Sequence, residues 1–133
     1  MPQYHILLTD GNTDESAVVF TRPVKGKCHL ALTYRDRSVF ALAYDYWEAF
    51  SLVRLELEKD GLLTVCYGGS INVFPSGQCR EMGQGLTAYR MELGTPAYPE
   101  DRVNIFDQGD DLQPATVEDQ KQRLLAWIAS NKK

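Results

Sequence analysis

The stretch CYGGSINVFPSGQCREMGQG, residues 66–85, gathers groups that could do chemistry: Cys66, Cys79, Ser70 behind a Gly-Gly pair, Asn72 and Arg80. A thiol nucleophile needs a base within hydrogen-bond reach and a third group to orient it. The only histidines are His5 and His29. Both fall on segments that alternate like strands, and alternation places His29 on the face opposite Cys28. A Cys-His inventory without a motif is weak, so each cysteine reads first as a small buried hydrophobe. A ligand-binding alternative uses the same segment, with Tyr67, Ser70, Asn72 and Arg80 lining a pocket. It expects a depressed thiol pKa at Cys66 or Cys79.

Other motifs fail on context. GQGLTA (83–88) spells a dinucleotide fingerprint, but a helical turn precedes it and a strand follows, the reverse of what that fingerprint requires. DGNTDE (10–15) spells half of a calcium loop; Glu15 stands where glycine is needed and Thr21 where glutamate is needed. It reads as a turn whose Asp and Asn side chains bond their own backbone. Gly68-Gly69-Ser70 lacks the Lys-Ser/Thr of a phosphate loop. Carboxylates crowd residues 100–111, but among Gly and Pro they read as surface groups, not as an acid/base pair in contrasting environments. Asp107, Asp110 and Asp111 have no histidine or spacing to support a metal site. No cofactor and no metal is expected.

The elements that must position these residues follow from pattern. QYHILLT (3–9) and SAVVFTR (16–22) read as strands, the second stopped by Pro23. KCHLALTYR (27–35) alternates, with Cys28, Leu30, Leu32 and Tyr34 on one face. SVFALAY (38–44) follows across a tight turn, so the pair forms a hairpin. DYWEAFSLVRLELEKDG (45–61) is a helix with Asp45 and Glu48 as a capping-box-like pair and Gly61 as its stop. Tyr46, Ala49, Phe50, Val53 and Leu57 form its apolar stripe; Arg54 and Glu58 pair on the opposite side. LLTVCY (62–67) is nearly all apolar and reads as a central strand. Ser76 caps a short helix over 77–82. LTAYRMEL (86–93) and VNIFDQ (103–108) are strands. A last helix starts at Thr116, carries Glu118 and Asp119 in its first turn, and ends near Lys132-Lys133. Its apolar stripe is Val117, Leu124, Leu125, Trp127 and Ile128. The order predicts a single α+β domain over residues 1–133, a mostly antiparallel sheet with two main helices packed on it.

Charge narrows the function classes. The 133 residues carry a net charge of −4. Residues 92–119 hold Glu92, Glu100, Asp101, Asp107, Asp110, Asp111, Glu118 and Asp119 against Arg102 alone, while residues 22–37 lean basic. A nucleic-acid binder needs a basic footprint, so none is expected. An acidic face suits a basic protein partner. No apolar run reaches the roughly 18–20 residues of a membrane span. The three cysteines lack metal spacing and fit free thiols in a reducing compartment. With no leader pattern at the N-terminus, the expected location is cytoplasmic.

Three segments, DYWEAFSLVRLELEKDGLL, CYGGSINVFPSGQCREMGQGLTAYRMELG and VNIFD…PATVEDQ, are together similar to a set of small uncharacterised bacterial proteins. The likeness spans roughly residues 40–130 and transfers no catalytic residue. In size and charge, though not in motif, the chain also resembles immunity proteins of bacterial toxin systems, including contact-dependent growth inhibition. That resemblance implies a cytoplasmic inhibitor of one cognate toxin domain, often a nuclease with a basic active-site surface.

The leading expectation is therefore a protein-binding, immunity-type inhibitor. Its acidic stretch Glu100, Asp101, Asp107, Asp110 and Asp111 would meet a basic patch, with Tyr98 and Phe106 as aromatic anchors. The rival is a small enzyme or ligand-binding protein using residues 66–85. A third reading is a structural subunit whose partner is itself.

Overall fold

Turn chemistry folds the first third of the chain into a four-stranded meander. The computed structural model describes residues 2–131, and β1 (Gln3–Thr9), β2 (Asp14–Val24), β3 (Lys27–Tyr34) and β4 (Arg37–Ala43) pair antiparallel in succession. At the first turn Asp10 Oδ1 accepts from Asn12 N and Thr13 N, both at 2.8 Å. The calcium-like DGNTDE is thus an Asp-centred turn. Lys25 and Gly26 both take positive φ, 51° and 80°, as a two-residue type I′ hairpin requires. Pro23 does not stop β2: it pairs with Cys28, beyond the point where β1 ends opposite Phe20. There β2 has a neighbour on one side only, and a missing N–H is tolerated.

Helix α1 (Tyr46–Lys59) begins at Asp45, whose side chain accepts from Glu48 N at 2.7 Å. It lays Tyr46, Ala49, Phe50, Val53 and Leu57 on the inner face of the sheet, against Ile6, Leu8, Val19, Leu30 and Leu32, all essentially removed from solvent. Each fully buried side chain of this size contributes roughly 1.5–3 kcal/mol. Arg54 is not paired with Glu58 on an exposed side. It is 2% exposed, because α1 has a second covered flank.

β5 (Leu63–Val65) is a short edge strand, not a central one; the sheet order is β4-β3-β2-β1-β5. The apolar ends of its segment, Leu62 and Cys66, belong to the same buried core without a strand on both sides. A 3₁₀ turn over Tyr67–Gly69 follows. A side chain at Gly69 would place its Cβ 2.6 Å from Thr64 O, so only glycine fits that close approach.

The rest builds a second, three-stranded antiparallel sheet, β6 (Val73–Phe74), β7 (Thr87–Arg90) and β8 (Arg102–Asn104), in the order β6-β7-β8. Between β6 and β7 lies α2 (Gly77–Met82), where Ser76 Oγ accepts from Cys79 N at 3.1 Å. The predicted strand over 103–108 ends at Asn104; Ile105 and Phe106 turn into the common core instead. α3 (Val117–Ser130) is capped by Thr116, whose Oγ1 accepts from Asp119 N at 3.0 Å. Its one fully buried residue is Gln120, and it touches α1 and β6. Leu125 and Ile128, expected in its buried stripe, are 52% and 43% exposed. The Lys132-Lys133 pair lies outside the described residues. Among the described residues no helix is long and apolar enough to cross a membrane.

Candidate functional site

The second sheet carries a cleft of about 770 Å³. It is lined by Asn72 just before β6, the end of β7, the 92–101 loop, Asp111 and Gln113, and Arg123 of α3. Arg90, the last residue of β7, lines it. Its guanidinium lies 3.6 Å from Asp111 and 4.0 Å from Asp101, and donates to the Glu100 carbonyl at 3.3 Å. Arg90 Nε finds no hydrogen-bond partner among the described residues. Asp111 also accepts from Tyr67 Oη at 2.8 Å. That bond, then burial, pushes the Tyr67 phenol above its usual pKa, with Arg90 opposing. Asp101 accepts from Tyr98 N at 3.0 Å, which closes the small turn at Pro99–Asp101.

The residues expected to bind divide by position. Asn72, Tyr98, Asp101 and Asp111 line this one cleft, with Arg90 and Arg123. Glu100, Asp107 and Asp110 are exposed and have no ion pair among the described residues. Tyr98 is 49% exposed. Phe106 is not a surface anchor. It is 3% exposed, with ring centroids 4.5 Å from Tyr4 and 5.1 Å from Phe50.

Ser70 is fully buried and serves the backbone: its Oγ donates to Asn72 Oδ1 at 2.7 Å and accepts from Gln113 N at 2.9 Å. Arg80 does not converge with Tyr67, Ser70 and Asn72. Its Nε donates to Asp45 at 2.6 Å, tying α2 to the N-terminus of α1. Sequence reasoning missed Arg90 and Arg123. The one signal was Arg90 on the β7 face opposite Tyr89, which said nothing of two aspartates more than ten residues away.

Beside the cleft runs an apolar groove of about 600 Å³. It shares Met91 and Tyr98 with the cleft and adds Phe74, Tyr89, Leu124, Trp127 and Ile128. Trp127 Nε1 donates to Thr95 O at 2.8 Å and Gly94 N donates to Ser130 Oγ at 2.8 Å, so α3 holds the loop that walls both hollows.

Burial decides two of the three thiols. Burial pushes Cys66 up to about 11, and Cys28 is raised for the same reason. At Cys79 burial pulls upward, but hydrogen bonds from Ser76 and Thr87 outweigh it and the thiol falls below its ordinary value. No hydrogen bond joins a cysteine to a histidine among the described residues; His29 instead stacks 5.8 Å from Phe40. No group of three or more His, Cys, Asp or Glu converges on a metal-sized site among them either. Compared with known proteins, the chain matches no family model and no curated protein.

Proposed function

We propose that the chain is a protein-binding inhibitor of the immunity type, acting in the cytoplasm, which covers a basic surface of a cognate toxin domain. The observation that carries this reading is the juxtaposition of the acid-rimmed cleft with an uncovered apolar groove, with half-exposed Tyr98 at their junction. An aromatic anchor beside apolar surface that a partner can desolvate, ringed by charge, is the anatomy of a binding hot spot. Asp107, Asp110 and Glu100 supply negative potential that steers a basic partner, and such steering acts mostly on the association rate. Arg90 already half-neutralises Asp101 and Asp111, so those two acids hold the cleft in shape and contribute less to steering.

Co-purification with the product of the neighbouring gene identifies the partner. Asp107→Lys with Asp110→Lys, both on exposed loop positions, should then lower the association rate about tenfold or more at low salt. An unchanged rate refutes the acidic-face reading. A second reading has its own support: the cleft's volume falls within the roughly 300–1,000 Å³ of small-molecule sites. In that case a ligand raises the melting temperature of the isolated chain, and the double lysine variant leaves the shift intact.

A further inference from the structure

The basic lean of residues 22–37 has a spatial meaning. Arg35 and Arg37 are neutralised, 2.8 Å from Glu15 and 3.0 Å from Asp60. Arg22, Lys25 and Lys27 are exposed and make no ion pair among the described residues. They gather at one end of the sheet face that looks away from α1. Alternation along β2, β3 and β4 sends one set of side chains into the core and leaves the other set partly or fully exposed. The register ranks that outer set in rows: Phe20, Ala31 and Phe40 abreast, then Arg22, His29 and Leu42. One step further on, Lys27 lies over Tyr44, its Nζ 5.2 Å from the ring centroid. Phe40, Leu42 and Tyr44 are 69%, 47% and 79% exposed. The His29 ring stacks on Phe40 with 22° between their planes. β3 and β4 carry no carboxylate, and those of β2, Asp14 and Glu15, stand at its far end.

We propose that this face binds a single-stranded nucleic acid, its phosphates on Arg22, Lys25 and Lys27 and its bases stacked on Phe40 and Tyr44. Charge complementarity picks the occupant. Cations without partners beside exposed planar rings call for a polyanion that brings planar faces of its own. An unpaired strand alternates the two, phosphate then base, and stacking on aromatic side chains tolerates any sequence. A duplex offers the same phosphates but hides its base faces. Phe40 and Tyr44 stand four residues apart, roughly 13 Å along an extended chain. That is too wide to clamp one base between them, so each ring takes its own. His29 backs the first ring and Lys27 the second, so both are held in place before binding, which lowers the ordering cost. The net charge of −4 speaks against nucleic acid only as an average over the chain, since the acids lie elsewhere. None of these residues lines the acidic cleft or the apolar groove, so this inference stands apart from the proposed function.

Fluorescence anisotropy tests it on the full chain, with a labelled DNA of about twelve nucleotides and mixed sequence as probe, single-stranded and annealed to its complement. The single strand should bind with a dissociation constant of roughly 1–100 μM near physiological salt. The logarithm of its affinity should fall against the logarithm of salt with a slope of about −2, at about −0.7 for each of the three cations. Arg22→Gln with Lys27→Gln should bring that slope to about −0.7. Phe40→Ala should instead weaken binding about fivefold to a hundredfold and leave the slope unchanged. All three side chains are exposed, so both variants should keep the wild-type unfolding midpoint. No anisotropy change up to about 0.5 mM protein overturns the proposal. So does binding that survives both variants, or a duplex bound as tightly as the single strand. Polyglutamate that binds as tightly, and loses as much on Phe40→Ala, also overturns it and makes the occupant an acidic protein.

Discussion

Arg54 is the sharpest place to perturb the molecule, because a cation is buried there with no carboxylate in ion-pair contact among the described residues. It is 2% exposed, and burial lowers its pKa to about 10, so it is still charged at neutral pH. Its guanidinium donates to Gly68 O at 2.9 Å, Gln120 Oε1 at 2.7 Å and Ala115 O at 3.0 Å. Gln120, 1% exposed, passes the connection on from Nε2 to Gly68 O, Ser70 O and Val73 O, at 2.8 to 3.1 Å. The pair thus ties α1, the Tyr67–Gly69 turn, β6 and α3 together. Arg54→Met removes the charge but strands Ala115 O and Gln120 Oε1, at about 1–3 kcal/mol each. Recovered desolvation of the cation offsets part of that loss. The expected net is a destabilisation of about 2–4 kcal/mol, lowering the urea midpoint by roughly 1–3 M. Gln120→Leu should cost a similar amount, since it also leaves Arg54 short of an acceptor. The double variant removes cation and relay together and should cost less than the sum by roughly 1–3 kcal/mol. Urea unfolding of all four proteins measures this. Single variants within about 0.5 kcal/mol of wild type, or strict additivity, would refute the network.

Two further perturbations read the cleft and the thiols. Alkylation near neutral pH should modify Cys79 first, since its pKa is lowered and it borders a hollow of about 350 Å³. Cys66, held near 11 and fully buried, should react only on unfolding; peptide mass spectrometry showing equal native rates would overturn that ordering. Gly109→Ala would drive its new methyl into the Tyr67 hydroxyl, breaking the bond to Asp111. It should destabilise by about 1–3 kcal/mol and lower the raised Tyr67 pKa, an absorbance titration that must move if this bond is its main cause.

What could be read from sequence was local. Asp45, Ser76 and Thr116 each cap a helix by accepting from the amide three residues on. That geometry is complete within one turn and needs no tertiary partner. The four strands and the β3–β4 hairpin were readable because alternation and a short turn are local; the β1–β2 and β2–β3 pairings come from the fold. Apolarity misled at β5, where LLTVCY suggested strands on both sides; apolar content reports burial, and here burial comes without two strand neighbours. Phe106 was misread because it sits among acids. Asp107, Asp110 and Asp111 beside it are exposed, but its ring packs against Tyr4 and Phe50, far upstream. Arg54 is the instructive case. It falls four residues after Phe50 and seven after Trp47, so the helical period already placed it on a covered flank. Its acceptors are carbonyls from residues 68 and 115 and the side chain of Gln120, which converge only in the finished fold.

The same division, local in one half and convergent in the other, bears on how the molecule could work. β1 to β4 and α1 are fixed by hairpins, caps and a dense apolar core. The cleft is fixed otherwise: by the Arg54–Gln120 relay at the start of α3 and by the Trp127–Thr95 and Gly94–Ser130 bonds near its end. Between those two anchors Leu125 and Ile128 stay uncovered. A helix held by a few polar contacts with its apolar stripe partly in water belongs to the low-stability end of a fold. Burial of that stripe by a partner would add to α3 what the chain alone does not provide. On the proposed function, a partner seated in the groove would also bear, through the Trp127–Thr95 bond, on the loop that carries Tyr98 and Asp101.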